Sequence, residues 1–226
     1  MLLSIIRQNQ KLAAKRNPAF DRNRFAKFLI YFMVAFWAAY LIVIGVMLSF
    51  AFEGIFPSME PYHIMNQGLA YLLLLDFLLR FMLQPAMSQE IKPYLLMPIK
   101  KNKLVDTLLL QSGISCYNLF WFFLIVPFAL LTITRFYGFT GILCYLGGIW
   151  LLMVINNYWY LICKTLLNEK LLYMLLPIGV YGLLGAAEFI PEGNPVSTFM
   201  MNLGEGFIEG NILAFLGVIA VILLLL

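Results

Sequence analysis

Residues 28–52 read FLIYFMVAFWAAYLIVIGVMLSFAF, 25 residues without a single charge. A helix needs about 20 apolar residues to cross the hydrocarbon core of a bilayer. Two further stretches, Thr107–Thr134 and Phe136–Cys163, are each uncharged for 28 residues. Across the 226 residues 63% are hydrophobic and 12% charged, whereas a soluble domain carries about 25% charged residues. A water-soluble core of this size cannot hide so much apolar surface. The expected fold class is therefore all-α, a polytopic membrane protein. Weaker apolar runs complete the set: Ile64–Leu83, interrupted by Asp76 and Arg80; Leu171–Ala187; and Asn211–Leu226. The expectation is one transmembrane domain over 1–226, with six spans near 28–52, 64–83, 107–134, 136–163, 171–187 and 211–226.

The basic residues orient these spans. Seven fall within residues 1–27 and five between Arg80 and Lys103; Lys164 and Lys170 flank the connection between spans four and five. Arg135 alone falls on the opposite side, so fourteen of fifteen share one face. The positive-inside rule then places the N-terminus in the cytoplasm. The net charge of +4 follows from this distribution and calls for no nucleic-acid partner. Residues 1–26 mix Leu2, Leu3, Ile5, Ile6, Leu12 and Phe20 with basic residues. They form either an amphipathic helix along the cytoplasmic interface, the preferred reading, or a loose basic tail. The chain ends VIAVILLLL with no polar flank. Spans usually end in interfacial Trp, Tyr, Lys or Arg, so the sequence is expected to be cut short at its C-terminus, the alternative being a sixth helix whose carboxylate sits at the cytoplasmic surface.

Few residues inside the spans carry chemistry. Asp76 and Arg80 stand four apart and share a helix face. They form either a polar lining or an internal ion pair with Arg80 reaching towards the headgroups, and the second is preferred. Asn156 and Asn157 in span four either bond across helices or line a path. Gly138, Gly141, Gly147 and Gly148 near span four, and Gly179, Gly182 and Gly185 in span five, put small residues at helical spacing, permitting close helix approach. Gly206–Gly210 is discounted as a packing motif because it sits in a polar loop. No catalytic motif, metal-ligand spacing or phosphate-binding glycine loop occurs, so neither a catalytic residue, nor a metal, nor a cofactor is expected. Residues 188–210 are rich in Gly, Pro and Glu around the patch Val196–Leu203. They form either an outer element dipping into the interface, burying Phe199, Met200 and Leu203, or an acidic loop.

Residues 89–105, QEIKPYLLMPIKKNKLV, are the least expected cytoplasmic loop. Pro93 and Pro98 prevent one continuous helix, and Pro98 suits the first turn of a short helix beginning near Ile99. Lys100, Lys101 and Lys103 then stand exposed beside Tyr94, Leu95 and Leu96. This is either a contact site for another protein or a segment lying among the headgroups.

The runs FLLRFMLQ (77–84), PYLLMPIKKNKLVDTLLLQS (93–112) and RNPAFDRN (16–23) resemble a bacterial membrane family of unassigned function, related to type-2 ABC-transporter permeases. The resemblance covers residues 1 to about 130 and continues by topology. It implies an interfacial N-terminal helix at 1–26, a cytoplasmic coupling segment at 85–106 and an outer re-entrant element at 188–210. It further implies that Ile91, Lys92, Pro93, Tyr94, Leu95, Leu96, Pro98, Lys100, Lys101 and Lys103 dock on a separate ATP-binding subunit. The expected function is thus a permease subunit in a bacterial inner membrane, paired with a second copy or a second permease half and not itself an enzyme. Family members are longer than this chain. The alternative is a non-transporting scaffold or sensor whose basic loop binds anionic lipid or a regulatory protein.

Overall fold

The computed structural model describes residues 24–84, 101–113, 115–190 and 193–225, with Gln8 and Leu12. The expected interfacial helix over 1–26 and most of the coupling segment thus lie outside the described residues. Those described are mostly helical, with no strand among them. The helices are α1 (Arg24–Ile55), α2 (Pro61–Gln67), α3 (Leu69–Leu83), α4 (Lys101–Gly113), α5 (Cys116–Leu119), α6 (Phe122–Thr132), α7 (Thr134–Glu169), α8 (Leu175–Phe189), α9 (Pro195–Ile208) and α10 (Ile212–Leu225), with a 3₁₀ turn over Leu171–Met174.

Three segments are each long and apolar enough to cross a bilayer: Lys27–Ile55, Thr134–Glu169 and Leu171–Phe189. Three bent pairs raise the number to as many as six. Pro61 opens α2, where its missing N–H costs nothing, and α2 meets α3 at a 47° bend. The long uncharged run beginning at Thr107 is not one straight helix. Its two parts, Leu104–Leu119 and Phe122–Thr132, meet at 62°. α9 and α10 turn through 115°, with Gly210 at the corner in the left-handed region (φ 72°).

α7 is the hub. It packs against α3, α4, α5, α6, α9 and α10, and its apolar run explains why: Tyr145, Ile149 and Met153 recur at four-residue spacing and are all fully buried. Gly138 breaks the helix near its start (φ 65°, ψ −165°), so the Arg135 turn lies across a kink from the main rod. At the other end the helix runs past the expected limit at Cys163 to Glu169. Lys164 is therefore a helical residue and not part of a loop.

α1 is peripheral, packing on α6 and α2. Leu41, Gly45 and Ser49 form its buried stripe, and a side chain at Gly45 would run into the Leu124 carbonyl. Ile44, Leu48 and Phe52 pack partly buried against the core, and the outward face of α1 is exposed and aromatic, with Phe28, Phe32 and Phe36 stacked in series.

Of the glycines expected to permit close approach, Gly141 and Gly148 do so and the others do not. Gly179, Gly182 and Gly185 face open space, whereas Gly148 receives the Phe207 ring and Gly204 receives the Asn66 amide. Gly206 is also helical and packs on Ala214, so it does not belong to a polar loop. In α9 the buried residues are Gly204, Gly206, Phe207 and Ile208. Phe199 is 60% exposed on the protein surface. Met200 and Leu203 pack against the core.

Candidate functional site: a polar ladder between α3 and α7

Asp76 and Arg80 stand one turn apart on α3, and both are buried, at 4% and 2% exposure. Arg80 Nε donates to Asp76 Oδ2 at 2.6 Å. Placing an unpaired charge here would cost several kcal/mol, and the surrounding side chains meet that cost. Asp76 also accepts from Asn156 Nδ2 at 2.7 Å and from Trp121 Nε1 at 2.8 Å. Arg80 Nη1 donates to Asn157 Oδ1 at 3.1 Å. Asn157 Nδ2 in turn donates to Ser112 Oγ at 3.1 Å, and Ser112 Oγ to the Leu109 carbonyl at 2.8 Å. One connected network thus joins α3, α4, α7 and the turn before α6. Arg80 is held within the bundle by Asp76 and Asn157, while its Nη2 is buried with no hydrogen-bond partner among the described residues.

The same helix face continues downward. Asn156, Tyr160 and Lys164 lie at four-residue intervals on α7 and so form one stripe. Tyr160 Oη donates to the Gln84 carbonyl at 2.6 Å. Lys164 Nζ donates to the carbonyls of Phe81, at 2.5 Å, and Gln84, at 3.1 Å, and lies 4.9 Å from the Phe81 ring centroid. The last carbonyls of a helix have no partner within it, and a cation there also suits the helix dipole. Lys164 and Tyr160 therefore close the end of α3.

α4 is held by adjacent residues of α7. Besides the Asn157–Ser112 bond, Tyr158 Oη donates to the Leu109 carbonyl at 3.2 Å. Asn118 Nδ2 closes the far end of α4 on the carbonyls of Ser112 and Gly113. The two helices that flank residues 85–100 are thus both bonded to one nine-residue stretch of α7, residues 156–164.

At the opposite end Tyr145 Oη donates to Asn66 Oδ1 at 2.9 Å, and His63 Nδ1 lies 2.5 Å from Glu205 Oε1. These contacts tie α2 to α7 and α9. Among the described residues no group of three or more His, Cys, Asp or Glu is placed to hold a metal ion.

Asp76, Arg80, Asn156 and Asn157 are brought into one network. Ile91, Lys92, Pro93, Tyr94, Leu95, Leu96, Pro98 and Lys100 lie outside the described residues. Lys101 and Lys103 fall in the first turn of α4. Trp121, Ser112, Tyr160 and Lys164 belong to the ladder but were not among the residues expected from sequence. The stripe of Asn156, Tyr160 and Lys164 had a signal in its spacing. Trp121 had none, because a bend brings it to Asp76.

The features define a class: an all-α chain whose apolar helices surround a buried ion pair. The chain belongs to the family of unknown function DUF5687, whose model matches residues 10–226, well beyond the N-terminal half that carries the resemblance. No curated protein and no solved structure matches the chain. The expected link to type-2 ABC permeases draws nothing from these comparisons.

Proposed function

We propose that the chain is the membrane-spanning permease subunit of a type-2 ABC transporter, with its N-terminus in the cytoplasm, driven by a separate ATPase that docks on residues 89–105. The observation that carries this reading is the double attachment of the segment's flanking helices to α7. A partner that moves the segment acts on α7 from the end of α3, through its bonds to Tyr160 and Lys164, and from α4, through Ser112 and Leu109. α7 contacts most of the bundle, so a displacement there reaches the whole of it. Packed elements with two discrete arrangements transmit such displacements better than continuously deformable ones.

Membrane insertion is part of the same proposal. The outward faces of α1, α8 and α10 present large apolar side chains such as Phe28, Trp37, Leu183 and Leu224. A contiguous surface of that kind needs an apolar surrounding. ATP hydrolysis belongs to the partner, and the working unit pairs the chain with a second copy or a second permease half.

Purification of the complete native protein in mild detergent, with mass spectrometry of what accompanies it, tests this reading. A P-loop ATPase is expected in the complex and absent when Lys100, Lys101 and Lys103 are all changed to Glu. If anionic lipid or a regulatory protein accompanies the chain and no ATPase does, the scaffold reading replaces it.

A further inference from the structure

Between α3, α7, α8 and α9 lies a cavity of about 460 Å³. Its walls are largely apolar and aromatic, including Tyr71, Trp159, Tyr181 and Phe189. A second cavity, of about 500 Å³, adjoins it between α7, α9 and α10, and the two share Leu73, Asn156, Trp159 and Met200 as walls. Beyond those shared residues the second is lined by apolar side chains such as Leu152, Leu213 and Val218. Both volumes lie in the range of small-molecule sites.

The first cavity has one charged wall. Glu188 is 5% exposed. Its Oε2 accepts from the backbone N–H groups of Val196 and Ser197, at 2.9 and 3.0 Å, and its Oε1 meets the Ser197 hydroxyl. Glu188 thus closes the N-terminus of α9. Those donors are neutral, and a helix N-terminus offers only about half a positive charge. No Lys, Arg or His forms an ion pair with Glu188 among the described residues. A carboxylate with no cationic partner, in a chamber walled by Tyr71, Trp159 and Tyr181, is the chemistry that attracts an ammonium group. Such cations favour the faces of Trp and Tyr rings.

We propose that the two cavities together bind an amphiphile with an ammonium head and one apolar chain, the head beside Glu188 and the chain passing Met200 into the second cavity. Among the described residues, no wall of the site comes from 89–105, so the inference holds whether or not an ATPase docks there.

Titration calorimetry on the full chain in an uncharged amphipol tests it, with decyltrimethylammonium, decyl sulfate and decyl maltoside as probes. The ammonium compound is expected to bind at least about tenfold more tightly than the other two, a difference within the range of a desolvated cation on aromatic faces. Glu188→Gln, which keeps an acceptor for α9, should reduce the ammonium compound to the level of the maltoside. Met200→Trp should weaken all three by filling the junction. Hexyltrimethylammonium should bind more weakly than the decyl compound. Equal binding of the three decyl probes by the native chain would overturn the proposal, and that comparison needs no variant to fold. If Glu188→Gln folds and the ammonium preference persists, the proposal also fails, and Glu188 is only the cap of α9.

Discussion

Lys164 Nζ reaches from the last turns of one helix to the end of another, 2.5 Å from the Phe81 carbonyl and 3.1 Å from that of Gln84. The residue after Gln84 begins the segment on which the functional reading depends, so this clasp sets where the segment starts. Removing it separates structure from coupling. Lys164→Met with Tyr160→Phe should cost about 1–3 kcal/mol in stability, the range for hydrogen bonds that include a charged donor. Amide hydrogen exchange should rise at residues 82–84 while α7 stays protected. The docking reading adds that the double variant loses much of its co-purifying partner although folded. Unchanged exchange at the end of α3 would show that other contacts hold it.

Asp76 and Arg80 should behave as a pair. Arg80→Met leaves a buried carboxylate short of its cation and is expected to destabilise by about 3–5 kcal/mol. Asp76→Asn with Arg80→Met removes both charges and should recover a good part of that loss. The readout is thermal unfolding of each variant in one detergent. A double variant as unstable as the single one would mean that packing, not charge, dominates the site.

Two glycines give opposite expectations. A side chain at Gly148 meets the Phe207 ring, so Gly148→Ala should cost about 1–3 kcal/mol, as overpacking does. Gly182 faces open space within α8, and Gly182→Ala should stabilise by up to about 1 kcal/mol through helix propensity. Parallel melting curves compare the two directly.

Topology has its own test. In cells, single cysteines replacing Lys103 and Glu53 should react with a membrane-impermeant maleimide from opposite sides, Glu53 from outside. Labelling of both from one side would overturn the orientation drawn from the basic residues.

The apolar character of the helices was legible because runs such as 28–52 leave no other use for their residues. The ion pair was legible from the four-residue spacing of Asp76 and Arg80, but its surroundings were not. Arg80 turns inward because Asn157 stands opposite on a helix 77 positions away in sequence. Local spacing carries no information about that pairing. Trp121 joins the network through the bend near Phe120, which an uncharged run conceals: hydropathy measures composition and not straightness. The glycine expectation held at Gly141 and Gly148 and failed at Gly179, Gly182 and Gly185 for a related reason. Spacing shows that a glycine stripe exists, whereas the ring that fills a gap, as Phe207 does at Gly148, comes from elsewhere in the fold.

The central claim is that residues 89–105 meet an ATP-binding subunit. A photo-crosslinking amino acid at Tyr94, in the complete protein in its native membrane, tests it most directly. The predicted result is a covalent adduct with a P-loop ATPase, weakened when Lys164 and Tyr160 are replaced. Adducts confined to lipid, with none to an ATPase, would contradict the claim and leave the segment as a membrane-surface anchor.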